Sequence, residues 1–141
     1  MAMSDAERAR SILLAQENCT CAFCRGDCTH TSAYRGIYAL VQFLAQGVEL
    51  TNFSAADKVV GKAAALLLVM AGVKEVYAQV MSEPALYTLS YYGVLCTYTQ
   101  VVPEILDYER KEVCPLEAII SHTKDPEEAY RILQKALKTV S

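Results

Sequence analysis

Three groups of residues have the types and spacing to do chemistry. Cys19, Cys21, Cys24 and Cys28 fall as C-x-C-x2-C-x3-C, and four thiolates so spaced would suit zinc or an iron–sulfur cluster. Cys114 stands just before Pro115 at the start of an expected helix. The positive end of a helix dipole favours thiolate there, which would make Cys114 a nucleophile or redox centre. Lys58, Lys62 and Glu83 carry charge within a largely apolar middle stretch, where they could hold a small anion or simply pair with one another. Each group also has a plainer reading. Strands Thr20–Cys24 and Cys28–Ala33 around a turn at Arg25-Gly26-Asp27 make a β-hairpin, whose side chains alternate faces. Cys19, Cys21 and Phe23 then point one way and Cys24 the other. The thiols do not converge, buried cysteine is an ordinary small hydrophobe, and neither a metal nor another cofactor is expected. His30, on the second strand, reads as structural.

The elements that must position these groups lie in Ser54–Tyr98, which reads as helix, strand, helix, strand. Ser54 with Asp57 three residues on has the form of a capping box, and Ala55–Met70 is rich in Ala, Leu and Lys, all good helix formers. Gly72 supplies a left-handed stop. The uncharged run Ala63–Val73 is too short to span a bilayer, which takes about 20 residues, and suits a helix buried on most sides. Lys74–Met81 is β-prone; Ser82-Glu83-Pro84 opens a second helix, with proline tolerated in its first turn; Gly93 ends it, and Val94–Tyr98 is a second strand. Two strands joined by a crossover helix should be parallel and right-handed. Asp57, Lys58, Gly61 and Lys62 should then converge on Ser82 and Glu83 at the carboxyl edge of the sheet, where open α/β sheets bind ligands and helix N-termini favour anions. Lys58 and Lys62, four apart, would share a helix face.

Val60-Gly61-Lys62 followed by Glu83-Pro84-Ala85-Leu86-Tyr87-Thr88 resembles the frame of the zinc deaminases, H-x-E on one helix and P-C-x-x-C on the next. Val60 stands at the histidine ligand, Lys62 at the acid/base glutamate, and Ala85 and Thr88 at the cysteines, so the frame persists without its chemistry. The chain is more similar to a small prokaryotic family of unknown function with a cytidine-deaminase-like fold and no zinc motif. The likeness rests on DKVVGKAAALLLV, GVKEVYA, SEPAL, Val102-Pro103-Glu104-Ile105 and Cys114-Pro115-Leu116-Glu117, and covers roughly 19–120. It implies a cytidine-deaminase-like three-layer α/β/α fold with an N-terminal β-hairpin and a mixed sheet, and no established activity.

The remainder fits one domain over 1–141, with an N-terminal helix within 1–17 and a C-terminal helical extension over 122–141. Ser4 with Glu7 opens the first helix, Ala6–Gln16; Arg35-Gly36 is a turn, and Ile37–Ala45 an apolar helix. Thr99–Val113, with Pro103 and the charged run Asp107–Glu112, reads as a loop long enough for a lid, with a helical turn near Glu104–Asp107. Cys114-Pro115 opens a helix to about Ser121, with His122 as a C-terminal cation. Asp125-Pro126-Glu127-Glu128 starts the last helix, whose stripe Ala129, Ile132, Leu133, Ala136, Leu137 and Val140 packs on the sheet or on a second subunit. Tyr87, Tyr91 and Tyr92 ride one short helix and could form an interface.

With 13 basic and 16 acidic side chains, the net charge of −3 argues against a nucleic-acid surface. The first ten residues lack a signal-peptide core, and no membrane contact is expected, so the chain reads as cytoplasmic with thiols reduced. Three functions fit. One is a non-catalytic domain binding a small anionic or nucleotide-like molecule through Asp57, Lys58, Gly61, Lys62, Ser82, Glu83 and Glu117. The second is a metal-independent enzyme using Cys114, with Lys62 or Glu83 assisting. The third is an assembly module, possible as a homo-oligomer. The first is favoured, and zinc-dependent deamination ranks last.

Overall fold

Local sequence sets most of the elements. The computed structural model describes residues 3–34, 36–106 and 114–138. Ser4 Oγ accepts from Glu7 N at 3.1 Å and starts α1, Asp5–Ala15. The hairpin β1, Cys21–Arg25, and β2, Cys28–Ser32, turns through Gly26 at positive φ. Helix α2, Gly36–Ala45, leads to β3, Ser54–Val60. Then come α3, Lys62–Ala71, β4, Glu75–Ser82, α4, Glu83–Tyr91, and β5, Leu95–Val102. Gly72, at φ 81°, ends α3 as expected. The chain finishes with α5, Pro115–Ile119, and α6, Pro126–Lys138. Proline in the first turn opens α4, α5 and α6 alike.

The strands form one mixed sheet in the order β2-β1-β3-β4-β5. β1 is antiparallel to both β2 and β3, while β3–β4 and β4–β5 are parallel. One face carries the main core, where Phe23, Ala55, Val76 and Ala78 meet Leu40 of α2, Leu66–Leu68 of α3, Leu89 of α4 and Leu133 of α6. Among the described residues the other face is covered by α1, Ala9 and Leu13 lying over Ala22, Cys24, Ala56 and Tyr77. Among the described residues no helix is long and apolar enough to cross a membrane.

The expected helix over Ala55–Met70 is corrected in its first half. Ser54–Val60 is a central strand, paired with β1 on one side and β4 on the other. Alanine's helix preference amounts to a few tenths of a kcal/mol per residue, which two hydrogen-bonded ladders and burial on both faces outweigh. Alanine suits the strand for a different reason: Ala55 faces the main core and Ala56 the α1 side, both almost fully buried, where larger side chains would hold the layers apart. Ser54 is no cap; its hydroxyl donates to Glu75 Oε1 at 2.6 Å across the β3–β4 pair. Asp57 Oδ1 accepts from Val59 N at 3.4 Å instead of capping a helix.

Three smaller corrections follow. Cys19 packs with Cys24 under α1, whereas Cys21 lies in the main core, because Cys19 precedes the regular strand and escapes its alternation. Strand β5 runs on to Val102, so Pro103 rather than Tyr98 bounds it. The chain at 103–106 has no helical turn. Of the expected loop Thr99–Val113, residues 99–102 belong to β5 and 107–113 lie outside the described residues, as do Arg35 of the expected turn and Val140 of the last stripe. Replacing Ala56 by Leu should cost about 1–3 kcal/mol by overpacking the α1 layer. A urea melt reads this, and an exposed helix position would show no loss.

Candidate functional site

The rim is built where parallel strands β3 and β4 end. Val60 and Met81 are register partners, so the next residues, Gly61 and Ser82, start α3 and α4 side by side. Ser82 Oγ accepts from Ala85 N at 3.2 Å and caps α4. Gly61 has no side chain with which to cap α3, and Glu117 of α5 performs that role. Both its carboxylate oxygens lie 3.2 Å from Ala63 N. The fit demands glycine: a Cβ on Gly61 would sit 2.1 Å from Glu117 Oε1 and 2.9 Å from Ile105 Cγ1. A carboxylate near the positive end of a helix is favourable, and this one is 9% exposed. Burial pushes its pKa up, against the backbone N–H groups of Ala63 and Lys62 and the Lys62 charge, which pull it down.

Lys62, the first residue of α3, donates from Nζ to Ser121 O at 2.8 Å. Burial lowers its pKa and Lys124 lowers it further, while Glu117 acts to raise it. Lys62 and Pro84 line two adjoining cavities. One, of about 190 Å³, adds Ser82, Glu104, Ile105, Glu117 and Ser121. The other, of about 270 Å³, is walled by Leu66, Tyr87, Tyr91, Tyr92 and Lys124. Its rings are arranged: Tyr87 and Tyr91 stack at 6.3 Å, and Tyr91 meets Tyr92 edge-on at 5.0 Å. Tyr92 Oη donates to Lys124 O at 2.6 Å and ties the α5–α6 connection to α4.

Of the residues singled out from sequence, Gly61, Lys62, Ser82 and Glu117 come together. Asp57 and Lys58 do not, because they leave β3 on opposite faces and before the rim. Lys58 Nζ donates to Glu17 O at 3.0 Å beside α1; it shares no helix face with Lys62. Asp57 is turned to the start of α2, where a Cβ on Gly36 would lie 3.1 Å from its Oδ2. It is 3% exposed, and Oδ2 has no hydrogen-bond partner among the described residues. Glu83 is exposed, lines neither cavity and forms no ion pair with Lys62. Cys114 is half-buried and lines neither cavity. Its backbone holds the rim: its N–H donates to Ile105 O at 3.1 Å, and its carbonyl accepts from Glu117 N at 2.9 Å.

Lys124 was not legible, since nothing local ties it to a rim sixty residues earlier. The tyrosine wall left a trace in the spacing Pro84, Tyr87, Tyr91, which puts three residues on one side of a helix.

The donor set does not fit a deaminase zinc. Val60 and Ala85 are fully buried in the apolar core, and the Thr88 hydroxyl donates to Pro84 O at 2.8 Å. Among the described residues no three His, Cys, Asp or Glu side chains are grouped to hold a metal. In the hairpin, Cys19, Cys21 and Cys24 are buried and Cys28 is exposed. His30 packs against Phe43 and Phe53 with ring centroids at 6.1 and 5.6 Å.

Two stability effects follow. Gly61→Ala should cost about 1–3 kcal/mol through the clash with Glu117, and the double variant Gly61→Ala/Glu117→Ala should cost less than the sum of the singles. Additive losses in urea melts would separate the two residues. Burial raises the Asp57 pKa from 3.8 to about 7. The folded chain therefore keeps a proton that the unfolded chain releases near pH 4. The contribution of Asp57 to stability is fully present below about pH 4 and is lost as pH rises through about 7. Asp57→Asn should flatten that fall, leaving the smaller slope of Glu117, whose shift has the same sign. Urea midpoints at pH 5 and pH 8 measure it.

None of the curated proteins matches the chain. The chain is similar to a solved structure, the crystal structure of a DUF1893 family protein (TM1506) from Thermotoga maritima, with a TM-score of 0.84 and 26% identity. The alignment covers 96% of this chain and 92% of that one. The family model described as "TM1506: Domain of unknown function (DUF1893)" matches residues 9–137, and the chain belongs to that family.

Proposed function

We propose that this chain is a ligand-binding domain on a zinc-free, deaminase-like frame, taking a small anionic, nucleotide-like molecule in the cleft beside Lys62. The observation that carries this reading is that two lysines, Lys62 and Lys124, line one cavity of about 270 Å³ together with a wall of ordered tyrosine rings. A planar ring stacks on tyrosine, and a phosphate or carboxylate on the same molecule pairs with lysine. The position of the anion differs from the sequence expectation. Glu117 already fills the start of α3, so the ligand's charge belongs with the lysines, and the smaller cavity past Ser82 takes a polar extension.

The strand order and the two helix starts on one rim support the deaminase-like frame. A binding role is preferred to a Cys114 enzyme because that thiol lines neither cavity. A cytoplasmic location goes with nucleotide-like ligands and reduced thiols.

Isothermal titration with a panel of nucleoside mono- and diphosphates tests the proposal. At least one should bind, and the affinity should fall with added salt. Tyr91→Ala should weaken binding by about 1–3 kcal/mol, and Lys62→Ala at least roughly tenfold. The absence of heat or thermal shift with every member of the panel would overturn the reading.

A further inference from the structure

The sheet ends at β5, whose outer edge is unpaired among the described residues. Leu95 N donates to Lys74 O at 3.3 Å, which points the Leu95 N–H towards β4. Because backbone groups alternate sides along a parallel strand, Thr97, Thr99 and Val101 also bond β4. Cys96, Tyr98, Gln100 and Val102 then turn N–H and C=O outward. No hydrogen bond among the described residues engages those outward groups.

Edges left this way are normally guarded by lysine, proline, a bulge or a short length. β5 has none of these. It is eight residues long and holds no Asp, Glu, Lys, Arg or Pro. Its pairing to β4 keeps regular register from Glu75↔Leu95 to Ser82↔Val102. Two of its large side chains stand in solvent, Leu95 at 71% and Tyr98 at 45% exposed. The opposite edge is different: β2 is five residues long and starts directly after Asp27.

We propose that β5 pairs antiparallel with β5 of a second copy of this chain about a two-fold axis, joining two five-stranded sheets into one of ten strands. A second copy is the partner the strand fits. In an isologous antiparallel pair each outward N–H meets a carbonyl of its mate. A neutral strand also meets itself without opposing like charges, which a charged edge could not do. The four outward residues of each copy allow up to roughly eight backbone hydrogen bonds, close to the about ten of a typical stable interface. Leu95 and Tyr98 add apolar contact at the seam. The ligand cleft stays open in this arrangement, because its tyrosines face α3 and Lys124.

Sedimentation or light scattering of the full chain over a range of micromolar concentrations tests the pairing. The expected mass is twice the 15.5 kDa of the chain. Gln100→Pro removes an outward N–H and leaves the β4 ladder intact, a placement proline tolerates on edge strands. It should raise the dimer dissociation constant on the order of 100-fold or more, with an unchanged far-UV spectrum. Tyr98→Lys, which places like charges near the two-fold, should do the same and decides the matter if the proline variant does not fold. A wild-type chain at 15.5 kDa throughout, or folded variants that both remain dimeric, would overturn the proposal.

Discussion

One carboxylate in one notch holds the rim together. Glu117 reaches Ala63 N only because Gly61 has no Cβ, and that contact brings α5 onto the start of α3. It answers a general problem: the first N–H groups of a helix have no partner within it. Here a residue more than fifty positions away supplies the partner, so a local need becomes a tertiary tie. The cost is a buried acid with a raised pKa, tolerable because donors and the Lys62 charge surround it.

The notch also explains why the rim is not a bare anion site. In many open α/β sheets the helix start at the strand edge faces a phosphate. In this chain it faces its own glutamate, and the lysines of the rim, Lys62 and Lys124, lie to one side in the larger cavity. The aromatic wall lies on that same side. In the binding role proposed above, recognition would move from backbone amides to side chains, which would select for a ring and a charge together rather than for a phosphate alone.

Much of the fold was legible because its elements carry their own punctuation. Ser4, Gly26, Gly72, Ser82-Glu83-Pro84 and Asp125-Pro126 each mark a boundary by capping or turn chemistry. The strand β3 carried no such mark. Its alanines read as helix, and the reason they are strand lies in β1, more than thirty residues earlier, and β4, about twenty later. The site survived this error since Gly61 sits at the true junction of strand and helix and Lys62 follows it. Asp57 and Lys58 were misplaced with the strand that carries them. The spatial match of Gly61 to Glu117 had no local signal at all, because it is a matter of which atoms fit in a gap.

The connection between α5 and α6 is held at two points by the side chains that wall the cleft. Lys62 grips the carbonyl of Ser121, and Tyr92 that of Lys124. A few residues on, α6 seats Ala129 and Leu133 in the main core. In the proposed binding role, a molecule in the cleft would share those two side chains with the main chain of the connection. Its occupancy and the docking of the last helix would then be thermodynamically coupled, each biasing the other by an equal free energy.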